Sequence, residues 1–355
     1  MAVPSLPKVK LCQDIEFTYT DSGAPDTDNY MTFILVHGHT YHAGVFQKLG
    51  PLAKSSSVRI ICVNRREYTG STPHTPEELG VYQAGNDAER TTLMNGEGVN
   101  LALCIESIIY EQKLGHVALV GWSLGNTFTL AVMASIPSLP DDSKKRLQKS
   151  IKTFILWDPP SHALGIEDPP NPYVPLYDMT ILDDTGVSTA LARGQEFGKW
   201  VESYFSHPAF TEKEKKGSHN EKDLDRKIHG NPSRPPTFYD LPFPELLAMV
   251  DFSVGDKCDT ILTEPTFNHV VEGIVDKALF EPKTREAWGH PKVAYMWGEA
   301  NPWNVPWAAW NIQERVKNAQ GNAPITFHAI DGANHFVMWD DEKKALGVLI
   351  QCTKA

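Results

Sequence analysis

The feature that most constrains this chain is the sequence Gly-Trp-Ser-Leu-Gly at residues 121–125. It follows a run typical of a buried strand, residues 116–120, and precedes a run typical of a helix, residues 126–134. A G-x-S-x-G sequence in that setting predicts a sharp turn that strains the serine backbone and leaves no room for side chains at the flanking glycines. Ser123 is therefore the candidate nucleophile, the alternative being a serine in an ordinary strand-to-helix turn.

Two further segments have a composition that suits the same kind of chemistry. A continuous apolar run at residues 32–36, typical of a strand in a parallel sheet, ends at His37-Gly38-His39-Thr40. Near the other end of the chain, the strand-like run 325–330 leads into a loop that ends at His335. The order of a serine and then a histidine, each after a strand, is one that Ser-His catalytic sites use.

Together these segments resemble the α/β-hydrolase superfamily, of the AB hydrolase-1 type. The resemblance implies an α/β fold with a mostly parallel central sheet, helices on both faces and a helical cap inserted after strand 6. It also implies that the backbone N–H groups of His39 and Leu124 form an oxyanion hole and that His335 is the general base. His37 is expected to be structural, and His328, which alternates with apolar residues in its strand, to be packed or solvated rather than catalytic.

The acid of the predicted triad has two candidates. The family commonly places it after the seventh strand, but there this chain has Asn301 where many relatives carry aspartate, with Glu299 nearby. Some branches place it one strand earlier, where the run 153–157 ends in Asp158. We favour Asp158, because the carboxyl ends of strands in open α/β sheets are where sites assemble, with Glu299 as the runner-up. The alternative for Asp158 is a turn-capping role ahead of two prolines.

Residues 58–63 form another strand-like run. The segment that follows it, residues 64–73, is a variant of the family pattern D-x-R-G-x-G-x-S. This segment, the Gly-Trp-Ser-Leu-Gly turn (the nucleophile elbow) and the Asp-Pro-Pro turn at residues 158–160 together resemble a group of fungal α/β-hydrolase-like proteins. We expect Arg65, Arg66 and Tyr68 within it to be structural rather than substrate-binding.

The resemblance covers the two ends of the chain and predicts a core formed by residues 1–160 and 290–355. Residues 161–289 lack a strand-helix alternation and are predicted to form a cap over the site. Within that cap one helical face is predicted to carry five large apolar residues; these are Phe197, Trp200, Val201, Tyr204 and Phe205.

The composition of the chain limits which classes of molecule it is expected to bind. A formal net charge of -11 argues against nucleic acid, which requires clustered Lys and Arg. No apolar run is long enough to cross a bilayer. The five cysteines are scattered and form no metal-binding spacing, which indicates buried thiols and a reducing, cytoplasmic environment; they are Cys12, Cys62, Cys104, Cys258 and Cys352.

A serine at the elbow argues against epoxide hydrolases and haloalkane dehalogenases of this fold, which use an aspartate there to form an ester intermediate. We therefore expect a serine hydrolase that cleaves a small or medium apolar ester or lactone, with no metal or organic cofactor. The alternative is a non-hydrolytic protein of the same fold, either ligand-binding or a lyase or C–C cleaving enzyme.

Overall fold

An eight-stranded sheet forms the centre of the molecule in a computed structural model that describes residues 6–11, 14–319, 321 and 323–354. The spatial order is β1-β2-β4-β3-β5-β6-β7-β8; the β1–β2 and β2–β4 pairs are antiparallel, and the other neighbouring strands are parallel. The strands are β1 Lys8–Lys10, β2 Glu16–Asp21, β3 Met31–Val36, β4 Val58–Val63, β5 His116–Trp122, β6 Ile151–Trp157, β7 Lys292–Gly298 and β8 Ile325–Ile330.

The described residues also form fourteen α-helices. Local sequence sets several of their starts: the Asn86 side chain accepts hydrogen bonds from the N–H groups of Ala88 and Glu89 at the start of α3, and Thr189 caps α6. The helices are α1 Leu49–Ser55, α2 Pro76–Ala84, α3 Asp87–Glu111, α4 Gly125–Ala134, α5 Asp141–Ser150, α6 Ala190–Val201, α7 Pro208–Thr211, α8 Phe243–Leu247, α9 Thr260–Leu262, α10 Asn268–Val275, α11 Pro282–Ala287, α12 Asn304–Asn318, α13 Val337–Asp340 and α14 Glu342–Lys354.

The sheet separates two apolar clusters, because successive side chains of a strand point to opposite faces. In β3, Phe33 and Leu35 belong to one cluster, whereas Ile34 and Val36 belong to the other. Helices α3 and α4 pack on the second face, and α1 and α14 on the first. The predicted α/β class, with a mostly parallel sheet and helices on both faces, is confirmed.

Helices α6 to α11 lie between β6 and β7, and the described residues of this stretch add no strand to the sheet. Its later part, residues 254–288, packs against α3 and α4 and shares their apolar cluster. Its earlier part, which includes α6, packs with Trp122 and Phe336 in the other cluster. The stretch therefore flanks the sheet with one half and approaches the elbow with the other. The boundaries of a cap at residues 161–289 stay a prediction.

The predicted aromatic face is buried, but it is not a single helical face. Helix α6 ends at Val201, so Tyr204 and Phe205 lie in the following irregular segment. Gly230 approaches that segment closely: a Cβ atom there would lie 2.6 Å from the Ser203 Cβ and 2.7 Å from the Tyr204 carbonyl oxygen. The helical spacing of apolar residues in the sequence continues beyond Val201, although the helix itself ends there.

The cysteine prediction is met where the structure describes it: Cys62, Cys104, Cys258 and Cys352 are buried free thiols. Cys12 lies outside the described residues. Within the described ranges, no helix is both long enough and apolar enough to traverse a bilayer.

Candidate active site

Ser123 lies in the tight turn between β5 and α4 with φ of 55°, a left-handed conformation that side chains rarely adopt. The turn is held by Asn126, whose side-chain N–H group donates to the carbonyl oxygens of Ser123 and Trp157 at 2.8 and 3.0 Å. A Cβ atom at Gly125 would lie 2.2 Å from the Val36 carbonyl oxygen. Only glycine fits there, so the second glycine of the motif allows β3 and α4 to approach closely.

The loop after β3 passes directly against the nucleophile. A Cβ atom at Gly38 would lie 2.6 Å from the Ser123 Cβ. The backbone N–H groups of His39 and Leu124 make no hydrogen bond with any described residue. Two donors next to the serine are thus available to a ligand oxygen.

A buried ion pair fixes this loop. Arg65 donates from its guanidinium to the carbonyl oxygens of His37 and Gly38 at 3.1 and 2.9 Å, and to Asp259 Oδ1 at 3.0 Å. Tyr68 donates to Asp259 Oδ2 and accepts from the Thr40 N–H group. Burial alone would raise the pKa of Asp259, but the charge and hydrogen bonds of Arg65 lower it to about 2. Arg65 and Tyr68 therefore have a structural role at this loop.

His335 is buried in the loop after β8 and contacts the elbow. Its carbonyl oxygen accepts from the Trp122 indole N–H at 3.2 Å, and the two rings lie 4.8 Å apart. Its Nδ1 lies 2.8 Å from Asn301 Oδ1 and 3.6 Å from Asp158 Oδ2. The closest partner of the histidine is therefore an amide, with the carboxylate just beyond it.

The orientation of the Asn301 amide determines the histidine tautomer. Its N–H₂ group donates to Asp158 Oδ1 and to the Gly298 carbonyl oxygen, each at 3.0 Å. The Oδ1 atom is left to face His335, and an amide oxygen only accepts. The Nδ1 atom of His335 must then carry the proton, which leaves Nε2 with a free lone pair for accepting a proton.

Burial shifts the pKa values of both Asp158 and His335. It raises the pKa of Asp158 and, together with the neighbouring His162, lowers the pKa of His335 to about 3. Asp158 Oδ1 accepts from the Gly298 N–H group at 2.8 Å, whereas its fully buried Oδ2 has no hydrogen-bond partner in the described part of the chain. The imidazole is neutral at pH 7, as a general base requires.

Glu299, the runner-up acid, lies elsewhere. Its side chain is half-buried, and burial, with the charge of Asp331, raises its pKa, whereas Lys216 and Lys344 act in the opposite direction. It makes no hydrogen bond with His335 among the described residues. Only Asp158 and Asn301 are brought to the base.

Ser123 and His335 open into a narrow cavity in which only about 10 Å³ is open to water, the space for about one molecule. Trp200 forms part of its wall and also lines an adjacent open groove of about 1050 Å³. Most of the exposed wall is apolar. Besides Ser123, Trp200 and His335, the lining residues are the apolar Pro160, Leu176, Phe197, Val201, Pro302 and Val305 and the polar His39, His162, Thr263 and Asn304.

One cluster has the composition of a metal site. The side chains of His74, Glu78 and Glu97 have ligand atoms within 4.8 Å of one another. The guanidinium of Arg66 already donates to both carboxylates at 2.7 and 2.9 Å. A permanent cation thus occupies the position that a metal would take.

Sequence reasoning missed two residues of the site. Asp259 lies in a part of the chain without a motif, and only the buried Arg65 that needs a counter-charge hinted at such a partner. His162 follows the Asp-Pro-Pro turn and lines the cavity, and its proximity to the candidate acid along the chain was the available signal.

The alpha/beta hydrolase family model matches residues 33–346. Among solved structures, a protein assigned as an aryl esterase from Burkholderia cenocepacia is 15% identical with a TM-score of 0.54, covering 98% of this chain and 99% of its own. An esterase from Exiguobacterium antarcticum is 12% identical with a TM-score of 0.50, covering 99% of this chain and 100% of its own. No curated protein sequence matches the chain.

Proposed function

The chain belongs to the alpha/beta hydrolase family, and we propose that it hydrolyses a carboxylic ester or lactone of a small to medium apolar molecule. The observation that carries the proposal is the strained Ser123 beside two unpaired N–H groups, with His335 held by Asn301 in the tautomer of a base. The esterase structures similar in fold agree with ester chemistry but leave the substrate open.

In the proposed reaction, Ser123 Oγ attacks the substrate carbonyl carbon while His335 Nε2 accepts the hydroxyl proton. The N–H groups of His39 and Leu124 donate to the resulting oxyanion; losing one such donor typically costs about 2.7 to 4 kcal/mol of barrier. His335 then gives the proton to the departing alkoxide, which leaves an acyl group on Ser123. Water, deprotonated by His335, attacks the acyl carbonyl, and collapse of that intermediate returns the proton to Ser123.

The proposed acid is Asp158, which acts beside Asn301 rather than in direct contact with the base. Asn301 orients the imidazole, and the Asp158 carboxylate, 3.6 Å from Nδ1, stabilises the imidazolium that forms during attack. Neither group bonds to the substrate.

The test is labelling with an active-site fluorophosphonate, followed by mass spectrometry of the modified peptide. We expect modification of Ser123 in the native protein, none in Ser123→Ala, and normal labelling in Ser55→Ala, which removes an exposed serine. The unlabelled native protein should also hydrolyse 4-nitrophenyl butanoate, and labelling should abolish that activity. A folded protein that is neither labelled nor active on this ester would favour the alternative, a ligand-binding member of the family, for which the amide contact of His335 is the supporting feature.

A further inference from the structure

The polar groups that line the catalytic cavity are not all used by the proposed reaction. Six polar side chains lie in its wall; these are His39, Ser123, His162, Thr263, Asn304 and His335. Ser123 and His335 carry the chemistry. The remaining four must either pair within the protein or be available to a ligand, because a buried polar group without a partner is costly.

Two of the four are satisfied. The ring nitrogens of His39 bond to the hydroxyls of Thr40 and Thr260 at 2.7 and 2.9 Å. The hydroxyl of Thr263 donates to the Thr260 carbonyl oxygen at 2.7 Å and accepts from Tyr177. Neither has unused capacity aimed at a substrate.

His162 is different. It lies in a short 3₁₀ turn, Ser161–Leu164, directly after the Asp158 turn, and its imidazole makes no hydrogen bond with any described residue. The side chain is deep enough that burial, with the neighbouring His39, lowers its pKa to about 3, yet it retains accessible surface. His162 is also one of the residues that line the cavity. A neutral imidazole presents one donor and one acceptor there.

Asn304, the first residue of α12, lines the same cavity, although it lies 142 residues after His162 in the sequence. Its side chain is only 4% exposed, and its amide has no partner in the described part of the chain. It presents two donors and one acceptor oxygen to a ligand.

A shared metal does not explain these groups. The ligand atoms of His39, His162 and His335 do not all lie within 4.8 Å of one another, since among the described residues only His74, Glu78 and Glu97 form such a group of three. The cavity walls that remain, including Leu176, are apolar and match a hydrocarbon part of the substrate.

We propose that His162 and Asn304 form a second polar subsite, which binds a hydroxyl or carbonyl oxygen near the scissile ester group. The inference rests on the proposed ester hydrolysis and narrows its substrates to oxygenated esters or lactones, such as hydroxy or oxo acid derivatives with an apolar remainder. His162 and Asn304 contact the substrate and take no part in proton transfer from Ser123.

The experiment compares 4-nitrophenyl 3-hydroxybutanoate with 4-nitrophenyl butanoate, which differ by one hydroxyl group. We expect kcat/KM to favour the hydroxy ester by about tenfold or more, the value of one good hydrogen bond. His162→Phe and Asn304→Leu should each reduce that preference, whereas His328→Phe, a histidine replacement in β8 outside the cavity, should leave it unchanged.

Two further measurements separate this inference from the proposed function. Fluorophosphonate labelling of Ser123 should persist in His162→Phe, because the nucleophile and base are intact. Binding of the two esters to Ser123→Ala reports the subsite without turnover and should show the same preference. Equal binding of both esters, or an equal loss of activity on both in His162→Phe, would overturn the subsite while leaving ester hydrolysis standing. Absent labelling and hydrolysis in the native protein would instead overturn the proposed function.

Discussion

At the scale of single residues, the environment of His335 separates two tasks that one carboxylate usually performs. Asn301 Oδ1 contacts His335 Nδ1 directly at 2.8 Å, and in the proposed reaction Asp158, 3.6 Å from Nδ1, supplies the negative charge. The amide cannot stabilise a positive charge as a carboxylate does. The proposed chemistry therefore depends on Asp158 although it is the more distant partner.

Replacement of Asp158 tests this division. Asp158→Asn keeps the size of the side chain and its bond to the Gly298 N–H group but removes the charge, so we expect kcat to fall by about 100-fold or more. KM should change little, since the side chain does not touch substrate. Steady-state kinetics will decide, with Glu299→Gln as the matched control. An unimpaired Asp158→Asn enzyme together with an inactive Glu299→Gln enzyme would transfer the role to Glu299.

Exchanging the two side chains is a sharper experiment. Asn301→Asp alone places two carboxylates side by side and deletes the N–H₂ group that bonds to Asp158 and Gly298, so activity and stability should both fall. Adding Asp158→Asn restores a donor between the two positions and places a carboxylate directly against His335. We expect the double variant to recover kcat to within about tenfold of the native value. A double variant no more active than Asn301→Asp would show that the positions are not coupled.

The sequence could identify Ser123 and His335 as candidates because each follows a strand in the order that the fold requires. It could not determine how Asn301 and Asp158 share the histidine. They are separated by 143 residues, and their contact depends on a side-chain orientation set by the Gly298 carbonyl oxygen. Spacing along a chain contains no information about such a contact.

At the scale of secondary-structure elements, the insertion after β6 contacts the loop that follows β3. A π-helical turn, Gly255–Asp259, places Asp259 against Arg65 and thereby holds the loop that carries His39, one of the two proposed oxyanion donors. Its Gly255 lets the turn approach closely, since a Cβ atom there would lie 3.3 Å from His39 Cε1. The position of the loop thus depends on a distant segment of the chain.

Asp259→Asn should therefore affect catalysis as well as stability. Removing one partner of a buried ion pair is expected to lower the free energy of unfolding by roughly 3 to 5 kcal/mol, and a displaced loop should reduce kcat more than it changes KM. Urea denaturation and steady-state kinetics measure the two effects. Asp21→Asn is the control, because it breaks the partly buried pair with Arg59 between β2 and β4 and should cost stability without a specific loss of kcat. Unchanged kcat in Asp259→Asn would show that the loop keeps its position without the pair.

Helix α6 places Trp200 between the catalytic cavity and the open groove. The cavity holds about one water, so a substrate must displace part of this wall, and Trp200→Leu should ease entry. We expect faster fluorophosphonate labelling of Ser123, with the greatest gain for a probe with a long alkyl chain. Trp288→Leu controls for the loss of a buried indole, because Trp288 donates to the Met133 carbonyl oxygen of α4 and lines neither the cavity nor the groove. Labelling that is no faster in Trp200→Leu would place the entrance elsewhere.

The central elements were predictable because β3 to β7 are runs of apolar residues buried on both faces. The short edge strand β1, three residues long, carries no such signal and was missed. The helical pattern of the insertion indicated burial correctly but overestimated the length of α6. Its end depends on contacts with the loop around Gly230, which no local pattern contains.

At the scale of the whole molecule, Glu202 joins the insertion to two loops: the one after β3 and the one after β8 that carries His335. Glu202, just after α6, is 7% exposed and accepts a hydrogen bond from the Tyr41 hydroxyl, while its carbonyl oxygen accepts from Asn334 at 2.7 Å. Tyr41 in turn packs against Phe336, the residue after the base. We therefore expect the contacts between the insertion and these two loops to depend on the ionisation of the Glu202 carboxyl.

Glu202 should make the stability of the molecule depend on pH. Burial, with a smaller contribution from Asp340, raises its pKa from the ordinary 4.5 to about 7, so the folded state binds a proton that the unfolded state releases. Its contribution is complete below pH 4.5 and is lost as pH rises through about 7, a change of roughly 2 to 4 kcal/mol. Glu202→Gln imitates the protonated form and should lack this loss.

The measurement is the free energy of unfolding in urea at pH 5 and pH 8 for the native protein and Glu202→Gln. Buried histidines such as His335 have lowered pKa values and act in the opposite direction, since their contribution is lost as pH falls below 6.5. They are common to both proteins, so the difference between the two pH dependences isolates Glu202. Glu196→Gln, on the half-exposed side of α6, should behave as the native protein does. Identical pH dependences for the native protein and Glu202→Gln would mean that this carboxyl titrates normally and that the insertion is held by its apolar contacts alone.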